Sequence, residues 1–254
     1  MFLLFVVLAA VVFPAPAGSV EITILYNNVP HAPGCTCQWG FACLIRGPRD
    51  TILFDTGGDG RVLLANMQHL GVDPREIDCV VLSHVHGDHT GGVAALLPRL
   101  KPVRWYIPVD FVARFRRSLE NAGHEVISVS RPLEICPGVF STGELGSGIR
   151  EQGLIVDSEA GLVVITGCAH PGIVDMAAAA KTQRKQAIHL VLGGFHLGSR
   201  SRAELAGIID GLRSLGVEKV APSHCTGDAA MRLFAEAWRD NCLSSGCGAR
   251  ITVP

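Results

Sequence analysis

The sequence predicts an α/β protein in which two sheets pack face to face and helices lie on the outside. Short apolar runs of strand length alternate with segments of helical periodicity, and a strand-rich run followed by helix-bearing units occurs twice. Hydrophobic residues make up 48% of the 254 residues and charged residues 18%, which is typical of a globular protein with a large core. No linker, repeat or low-complexity stretch divides the chain, so we predict a single domain over residues 18–254.

The first strand-rich run begins at residue 20. Residues 20–26 first alternate polar and apolar side chains and then become apolar, which predicts a strand. Residues 47–50, Gly-Pro-Arg-Asp, are typical of a hairpin turn between two further strands. The other elements predicted in this half are strands at 41–46, 51–54, 79–82, 104–107 and 125–129 and helices at 61–70, 92–97 and 111–122.

The second strand-rich run contains three apolar segments with turn residues between them. We predict antiparallel strands at 138–142, 153–157 and 161–166. Helices and strands alternate after this run. The predicted helices are 173–184, 202–215 and 229–238, and the predicted strands are 189–192, 217–221 and 250–253.

The N-terminus differs from the rest of the chain. Residues 1–13 are almost wholly apolar, and Ala15-Pro16-Ala17 offers the small-x-small pattern of a cleavage site. An apolar run of about a dozen residues is short for a membrane span but fits a secretory signal. We predict a signal peptide over residues 1–17, an exported protein in the periplasm or outside the cell, and no stable membrane span after cleavage. The alternatives are an uncleaved anchor, or a first strand of a cytoplasmic protein, because no Lys or Arg precedes the apolar run.

Charge and cysteine content limit the partners of the protein. The formal net charge is −1 and no run of Lys or Arg occurs, so nucleic acid is not expected as a partner. We expect a small-molecule substrate, and the sequence does not predict an oligomeric state. The chain has nine cysteines, an odd number that leaves at least one unpaired, and Cys242 with Cys247 is a plausible disulfide in an exported protein.

The most informative segment is 83–92, Ser-His-Val-His-Gly-Asp-His-Thr-Gly-Gly, which follows an apolar strand. It places three imidazoles and one carboxylate within six residues. These groups are costly to bury without polar partners, whereas zinc and similar divalent ions bind neutral imidazole and carboxylate. The first two histidines project to one side of extended backbone, and Gly87 permits a sharp turn that returns the aspartate and the third histidine. We therefore predict a metal site rather than a polar surface loop.

Three later apolar strands also lead into histidine, at His170, His196 and His224, so six of the ten histidines follow strand ends. Ligands of open α/β sheets bind where the carboxyl ends of strands converge, which predicts one shared site. We predict that His170 and His224 bind metal, whereas His196 binds metal, supports a ligand or faces substrate. Asp55 ends another strand and either orients the imidazoles or is an ordinary turn residue. The other histidines lack this context: His31, His69, His124 and His189.

Two motifs together resemble a known family. His84-x-His86-x-Asp88-His89 after an apolar strand, with Phe54-Asp55-Thr56-Gly57 upstream, resembles the metallo-β-lactamase superfamily over essentially all of residues 18–254. Segments 166–172, 193–197 and 223–227 resemble a branch that includes dihydropterin-ribofuranosyl-aminobenzene-phosphate synthase-like proteins and many predicted metal-dependent hydrolases. The resemblance implies an αββα sandwich of two mixed sheets with outer helices and with metals at one edge.

The resemblance also implies which residues bind metal: His84, His86, Asp88, His89, His170 and His224. By position, the first two would hold one ion, Asp88, His89 and His224 a second, and His170 would supply a missing ligand. Cys168 takes the position of the family's bridging aspartate. It either binds as a thiolate or stays neutral and packs behind His170, and we favour the second arrangement. One or two divalent ions are expected, with zinc as the first choice and iron or manganese as alternatives.

The function implied is that of a metal-dependent hydrolase. A metal-bound hydroxide would attack an ester, lactone, amide or phosphoester, and Asp88 would orient it or take its proton as the catalytic residue. The sequence contains no Gly-x-Ser-x-Gly elbow for a serine hydrolase and no dinucleotide or Walker glycine motif. Two alternatives stay open: a synthase of the dihydropterin type, as in the methanopterin pathway, and a non-hydrolytic iron redox or metal-binding protein.

Overall fold

Two sheets packed face to face form the centre of the molecule. The computed structural model describes residues 18–47 and 49–254. The predicted signal peptide, residues 1–17, lies outside the described residues. Apolar side chains from both sheets, among them Phe54, Ile165 and Leu192, are buried in one continuous core between the two layers. The predicted arrangement of two layered sheets is therefore confirmed.

The first sheet holds the N-terminal strands and the last strand of the chain. In the described residues its strands are β1 (Val20–Asn27), β2 (Phe41–Arg46), β3 (Thr51–Phe54), β4 (Cys79–Val81), β5 (Arg104–Pro108), β6 (Glu125–Val129) and β13 (Arg250–Val253). Their order is β13-β1-β2-β3-β4-β5-β6. The strands from β3 to β6 run parallel to one another, whereas the pairs on the other side of β3 are antiparallel. The carboxyl ends of β3, β4 and β5 consequently lie at the same edge.

The second sheet is also mixed. Within the part of the chain described, it consists of β7 (Leu133–Cys136), β8 (Val139–Ser141), β9 (Leu154–Ser158), β10 (Gly161–Thr166), β11 (Ile188–Gly194) and β12 (Lys219–Ser223). The strands β10, β11 and β12 are parallel, and the other pairs are antiparallel. The sequence did not predict β7, an edge strand flanked by Pro132 and Pro137, because proline on both sides indicates a loop.

Helices cover the outer face of each sheet, as predicted. They are α1 (Gly60–His69), α2 (Gly87–Thr90), α3 (Val93–Leu96), α4 (Ala113–Asn121), α5 (Ile173–Arg184), α6 (Arg202–Ser214) and α7 (Asp228–Trp238). The first sheet packs on α1, α3 and α4, and the second packs on α5, α6 and α7. Ser201 and Glu204 form a capping box that fixes the start of α6. Of the helices in the described ranges, none has the length and apolar character needed to cross a membrane.

Candidate metal centre

Residues 83–90, which we call the ligand loop, follow the carboxyl end of β4. The backbone bends at residues 84 and 85, rather than being extended as predicted, and brings His84 and His86 together, with Nε2 of the first 3.1 Å from Nδ1 of the second. The chain then enters the short helix α2, whose first turn carries Asp88 and His89. The predicted sharp turn at Gly87 is wrong in detail, because Gly87 begins this helix and a Cβ there would meet no atom within 4 Å.

All six predicted metal ligands converge at one edge of the sandwich. Ligand atoms of His84, Cys168 and His170 lie within 4.8 Å of one another, and His86 adjoins this group through its contact with His84. A second group, also within 4.8 Å, consists of Asp88, His89, Cys168 and His224. Cys168 belongs to both groups, so its thiol lies between the two sets of ligands.

The position of Cys168 differs from the arrangement that the sequence favoured. Its Sγ lies 3.3 Å from Nε2 of His89 rather than behind His170. The reason is the backbone at Ala169, whose φ of 57° lies in the left-handed region. This turn lets the side chains on either side of Ala169 enter the same cluster. The neighbouring thiol of Cys225 raises the pKa of Cys168, and burial raises this pKa further.

Strained backbone is concentrated at this edge. Of the described residues, six that are not glycine have positive φ, and four of these are Asp55, Ala169, His196 and His224, with φ between 52° and 59°. The other two are Lys185, which ends α5 in the left-handed conformation common at helix ends, and Arg239, which follows α7 with a ψ of −121°. Positive φ in a residue with a side chain costs of order 1 kcal/mol or more, and such strain clusters at functional sites.

Asp55 fixes the orientation of two imidazoles. His89 Nδ1–H donates to Asp55 Oδ2 at 2.7 Å, and the hydroxyl of Ser83 donates to the same oxygen at 2.7 Å. Because this hydroxyl proton is used, Nδ1–H of His84 donates to Ser83 Oγ at 2.9 Å. Both histidines therefore present an unprotonated Nε2. Burial opposes protonation of His89, but the Asp55 carboxylate outweighs it and raises the pKa of the imidazole.

Glu151 was not predicted, and it shapes the loop that carries Cys168 and His170. Its side chain is fully buried, and Oε1 accepts the backbone N–H groups of residues 167, 168 and 169 at 2.9, 3.0 and 2.9 Å. Oε2 accepts the N–H of His170 at 2.9 Å. The only signal in the sequence was an acidic residue just before an apolar strand, which is too common to identify it.

His224 is oriented from the long loop between β1 and β2. Its Nδ1–H donates to Asn28 Oδ1 at 2.9 Å, and its Nε2 lies 3.3 Å from Asp88 Oδ2. Burial opposes ionisation of Asp88, but the contacts with His224 and His89 outweigh it and hold the pKa of this carboxyl below its usual range. The indole of Trp39 lies against the outer side of the His224 ring, with centroids 4.8 Å apart. Neither Asn28 nor Trp39 was predicted.

The donor atoms present fit a divalent metal ion. Among the described residues, the buried Nε2 atoms of His170 and His224 have no hydrogen-bond partner, which is costly unless a ligand binds them. Burial and the neighbouring His196 lower the pKa of His170 to about 4, so its ring is neutral at pH 7. Neutral imidazole nitrogens, a carboxylate and a thiol form a donor set typical of zinc and related ions.

The remaining predicted residues lie around this cluster or away from it. His196 is exposed beside His170, with ring centroids 4.5 Å apart, and its ring forms a third group with Cys168 and Cys225 within 4.8 Å. Cys225 was not predicted. The four histidines without strand-end context bind other partners, as expected: His31, His69, His124 and His189.

The suggested disulfide between Cys242 and Cys247 is not formed, and every cysteine in the described residues is a free thiol. Cys242 packs against the core beneath α7, where its neighbours belong to the second sheet. Cys247 lies instead in the first layer, with its Sγ 3.3 Å from Asn66 Nδ2. The two cysteines are therefore held by different layers of the sandwich.

The family assignment follows from comparison with known proteins. The model of the metallo-beta-lactamase superfamily matches residues 40–224, which is more than half of the chain. The protein belongs to the metallo-beta-lactamase superfamily. This family contains enzymes, and its fold implies binding of divalent metal, which agrees with the cluster described above.

Three known proteins are similar over most of the chain. The 7,8-dihydropterin-6-methyl-4-(beta-D-ribofuranosyl)-aminobenzene-5'-phosphate synthase of Methanocaldococcus jannaschii is 28% identical over 253 residues, covering 80% of this chain and 86% of the synthase. The crystal structure of Tm1679, a metal-dependent hydrolase of the beta-lactamase superfamily, is 28% identical, with a TM-score of 0.76 and coverage of 91% and 98%. The metallo-beta-lactamase fold protein YhfI from Bacillus subtilis is 13% identical, with a TM-score of 0.67 and coverage of 92% and 99%, which shows the shared fold alone.

Proposed function

We propose that this protein is a metal-dependent hydrolase that cleaves an ester, lactone, amide or phosphoester bond in a small molecule. The observation that most strongly supports this proposal is the pair of ligand groups that share Cys168. A bound divalent ion would lower the pKa of water and stabilise negative charge on the oxygen of the bond that is attacked. The similarity to a metal-dependent hydrolase at 28% identity over 91% of the chain supports the same reaction class.

The residues that would hold metal divide into the two groups described above. His84, His86 and His170 would bind one ion, and the nitrogen and sulfur donors of these groups favour zinc, with iron or manganese as alternatives. Asp88, His89 and His224 would bind the other, with Cys168 available to both.

The chain's own side chains would orient the reaction. Asp55 and Ser83 hold the imidazoles of the ligand loop in one tautomer, so that each Nε2 points into the cluster. Asp88 is half-buried and its pKa is held low, so its carboxylate is ionised at pH 7 and can orient the attacking water by accepting a hydrogen bond from it. His196, exposed beside His170, is placed to contact substrate.

A synthase of the dihydropterin type is the second candidate function. It is supported by the similarity to the Methanocaldococcus jannaschii synthase over 80% of the chain. Product analysis separates the two, because a hydrolase adds one water molecule across the bond that it cleaves, whereas the synthase would join two substrates. An iron-loaded protein with redox activity and no hydrolysis would instead support the third alternative, a redox protein.

Metal analysis combined with a substrate panel tests the leading proposal. Purified protein is expected to carry one to two equivalents of zinc or a similar ion, and to hydrolyse at least one member of a panel of lactones, thioesters and phosphodiesters. His86→Ala should lose most bound metal and most activity. His69→Ala is the matched control, because His69 contacts the carbonyl of Pro33 away from the cluster. Hydrolysis by the metal-free protein at the same rate as by the metal-loaded protein would reject the proposal.

We also propose that the protein is exported and that its signal peptide is cleaved after Ala17. The apolar run of residues 1–13 followed by Ala15-Pro16-Ala17 supports this proposal. N-terminal sequencing of protein purified from its native host is expected to begin at Gly18. An intact Met1 in a soluble intracellular fraction would reject export.

A further inference from the structure

Exposed apolar side chains are concentrated around the candidate metal centre. In the described ranges, the large hydrophobic residues with substantial exposure are Trp39, Val85, Val109, Val112 and Ile149. We call these five side chains the apolar rim. Single exposed hydrophobic residues scattered over a surface need no explanation, but a group gathered at one place indicates a binding surface.

The sheet topology places all five at the edge that carries the ligands. Val85 follows β4, and Val109 and Val112 follow β5, which is parallel to β4 and therefore ends at the same edge. Trp39 precedes β2, whose start lies beside the end of its antiparallel partner β3. Ile149 precedes β9, whose start lies beside the end of its antiparallel partner β10.

A side-chain contact joins the rim to the cluster at Trp39, and Val85 and Ile149 lie near cluster residues along the chain. Trp39 lies against the ring of His224, and Gly40, the next residue, packs on the carbonyl of Asp88. Val85 stands between two of the metal-binding histidines in the chain, and Ile149 lies two residues before Glu151. The rim therefore flanks the ligand groups rather than forming a separate patch.

The Val109 and Val112 side of the rim is tied to the Ile149 side by an ion pair. Arg150 Nε lies 3.9 Å from Asp110 Oδ2, which holds the segment after β5 against the segment before β9. Two loops from different sheets thus approach each other at the edge that carries the ligand groups, and each contributes apolar rim residues.

We propose that the centre acts on substrates in which an aromatic ring or a long alkyl chain adjoins the bond to be cleaved, and that the apolar rim binds this apolar part. The inference rests on the proposed hydrolase function and names its substrate class. Trp39, which is 57% exposed, supplies a flat surface for an aromatic ring, and the other rim side chains supply the contact for an alkyl chain.

Binding of hydroxamates to the metal-loaded protein tests this assignment without turnover. Acetohydroxamate, benzohydroxamate and octanohydroxamate share one metal-binding head group and differ only in their apolar part. Isothermal titration is expected to show affinity at least about tenfold higher for the benzoyl and octanoyl compounds than for the acetyl compound, because each methylene or ring removed from water favours binding. Equal affinities for the three compounds would overturn the proposal.

Matched variants locate the effect. In Ile149→Ser combined with Val112→Ser, the ratio of octanohydroxamate to acetohydroxamate affinity should fall by about fivefold or more, since the apolar contact is lost. In Ile208→Ser, a half-buried position on α6 that packs on the second sheet and does not belong to the rim, the ratio should not change. A ratio that survives in the rim variant would place the apolar contact elsewhere and reject the rim.

Two further outcomes separate this proposal from its alternatives. Trp39 is the exposed tryptophan, whereas Trp105 and Trp238 are buried, so acrylamide should quench part of the fluorescence readily. Protection from quenching that grows with protein concentration would show that a second copy covers the rim, and would overturn the proposal. If hydroxamate affinity depends on the apolar part but acetyl, benzoyl and octanoyl esters are not hydrolysed, the hydrolase function is rejected and binding by the rim is retained. If the three esters are hydrolysed at equal rates and the three hydroxamates bind equally, the hydrolase function is retained and binding by the rim is rejected.

Discussion

Two buried carboxylates support the two segments that carry most of the candidate metal ligands, the ligand loop and the loop after β10, and they do so in different ways. Asp55, at the end of β3, binds side chains, namely the hydroxyl of Ser83 and the ring of His89, together with the Ser83 amide. Glu151, before β9, accepts hydrogen bonds from the backbone N–H groups of residues 167–170, and its Oε2 lies 4.0 Å from Nδ1 of His84 without a hydrogen bond. Both side chains are fully buried.

This difference follows from the backbone structure of the two segments. The ligand loop of the first sheet is contiguous, and its shape comes from a strand end followed by the helix α2, so only the direction of its rings has to be set. The loop after β10 has no regular structure to define it and includes Ala169 at a strained angle. Its amides would be buried without partners if Glu151 were absent. We therefore expect Asp55 to act mainly on metal affinity and Glu151 mainly on folding.

Glu151→Ala is expected to have the largest effect. Four buried amides would lose their acceptor, and each unpaired buried group costs about 1–3 kcal/mol, reduced where water can enter. We expect the free energy of unfolding of the metal-free protein to fall by about 3–5 kcal/mol, measured by urea denaturation. Glu134→Ala, at an exposed position on β7, is the control and should change stability by no more than about 0.5 kcal/mol. Equal stability of the two variants would end the distinction between the two carboxylates.

Asp55→Asn should separate orientation from folding. The remaining amide oxygen can still accept the N–H of Ser83, but the new amino group cannot accept the proton of His89 Nδ1. Loss of such a supporting carboxylate typically reduces metal affinity about 10–100-fold, which competition with a chelator would measure. The loss of stability in the metal-free protein should be smaller than for Glu151→Ala. Asp73→Asn, in an exposed turn, serves as the control; unchanged metal affinity in Asp55→Asn would contradict the orienting role.

Cys168→Ser tests the residue that the two ligand groups share. Because Sγ lies within both ligand groups, replacing it should lower the metal content of both, and cobalt-substituted protein should lose its thiolate-to-metal absorption. Cys37→Ser, at an exposed position, should keep both properties. Unchanged metal content and absorption in Cys168→Ser would show that the thiol stays neutral, as the sequence had favoured, and that His170 coordinates without it.

Ser83→Ala should have the smallest effect of the four. It removes one hydroxyl that bridges Asp55 and His84, whereas the Ser83 amide keeps its bond to Asp55 Oδ1 at 2.7 Å. A single hydrogen bond of this kind contributes about 1 kcal/mol, so a modest loss in stability and a several-fold loss in metal affinity are expected. Ser118→Ala, on the surface of α4, is the control. A loss as large as that of Asp55→Asn would mean that Ser83, rather than Asp55, sets the tautomers.

The same difference explains how much the sequence could predict. The ligand loop was readable because its residues are adjacent in the chain and follow an apolar strand, and most strands and helices were predicted within a few residues of their observed bounds. Asp55 was accessible for the same reason, since it ends a strand in a recognisable motif.

Glu151 and the direction of Cys168 could not be predicted in this way. The partners of Glu151 are backbone amides 16 to 19 positions away, which carry no side-chain signal. The side chain of Cys168 enters the cluster because Ala169 adopts a left-handed conformation, and alanine gives no indication of that. Trp39 was missed because its contact with His224 joins the first loop to the last strand of the second sheet.

The pairing of β1 with β13 has a consequence for how the protein is made. Val20 lies opposite Val253, so the first sheet cannot be completed during synthesis until the last residues of the chain are available. Contacts between residues so distant in sequence form slowly, because the entropy of closing a long loop must be overcome first. The histidines of the ligand loop are translated long before Cys168, His224 and the closing strand. Maturation therefore has an order, in which the first ligands exist in an open nascent chain and the complete centre forms only after Cys168 and His224 have been translated.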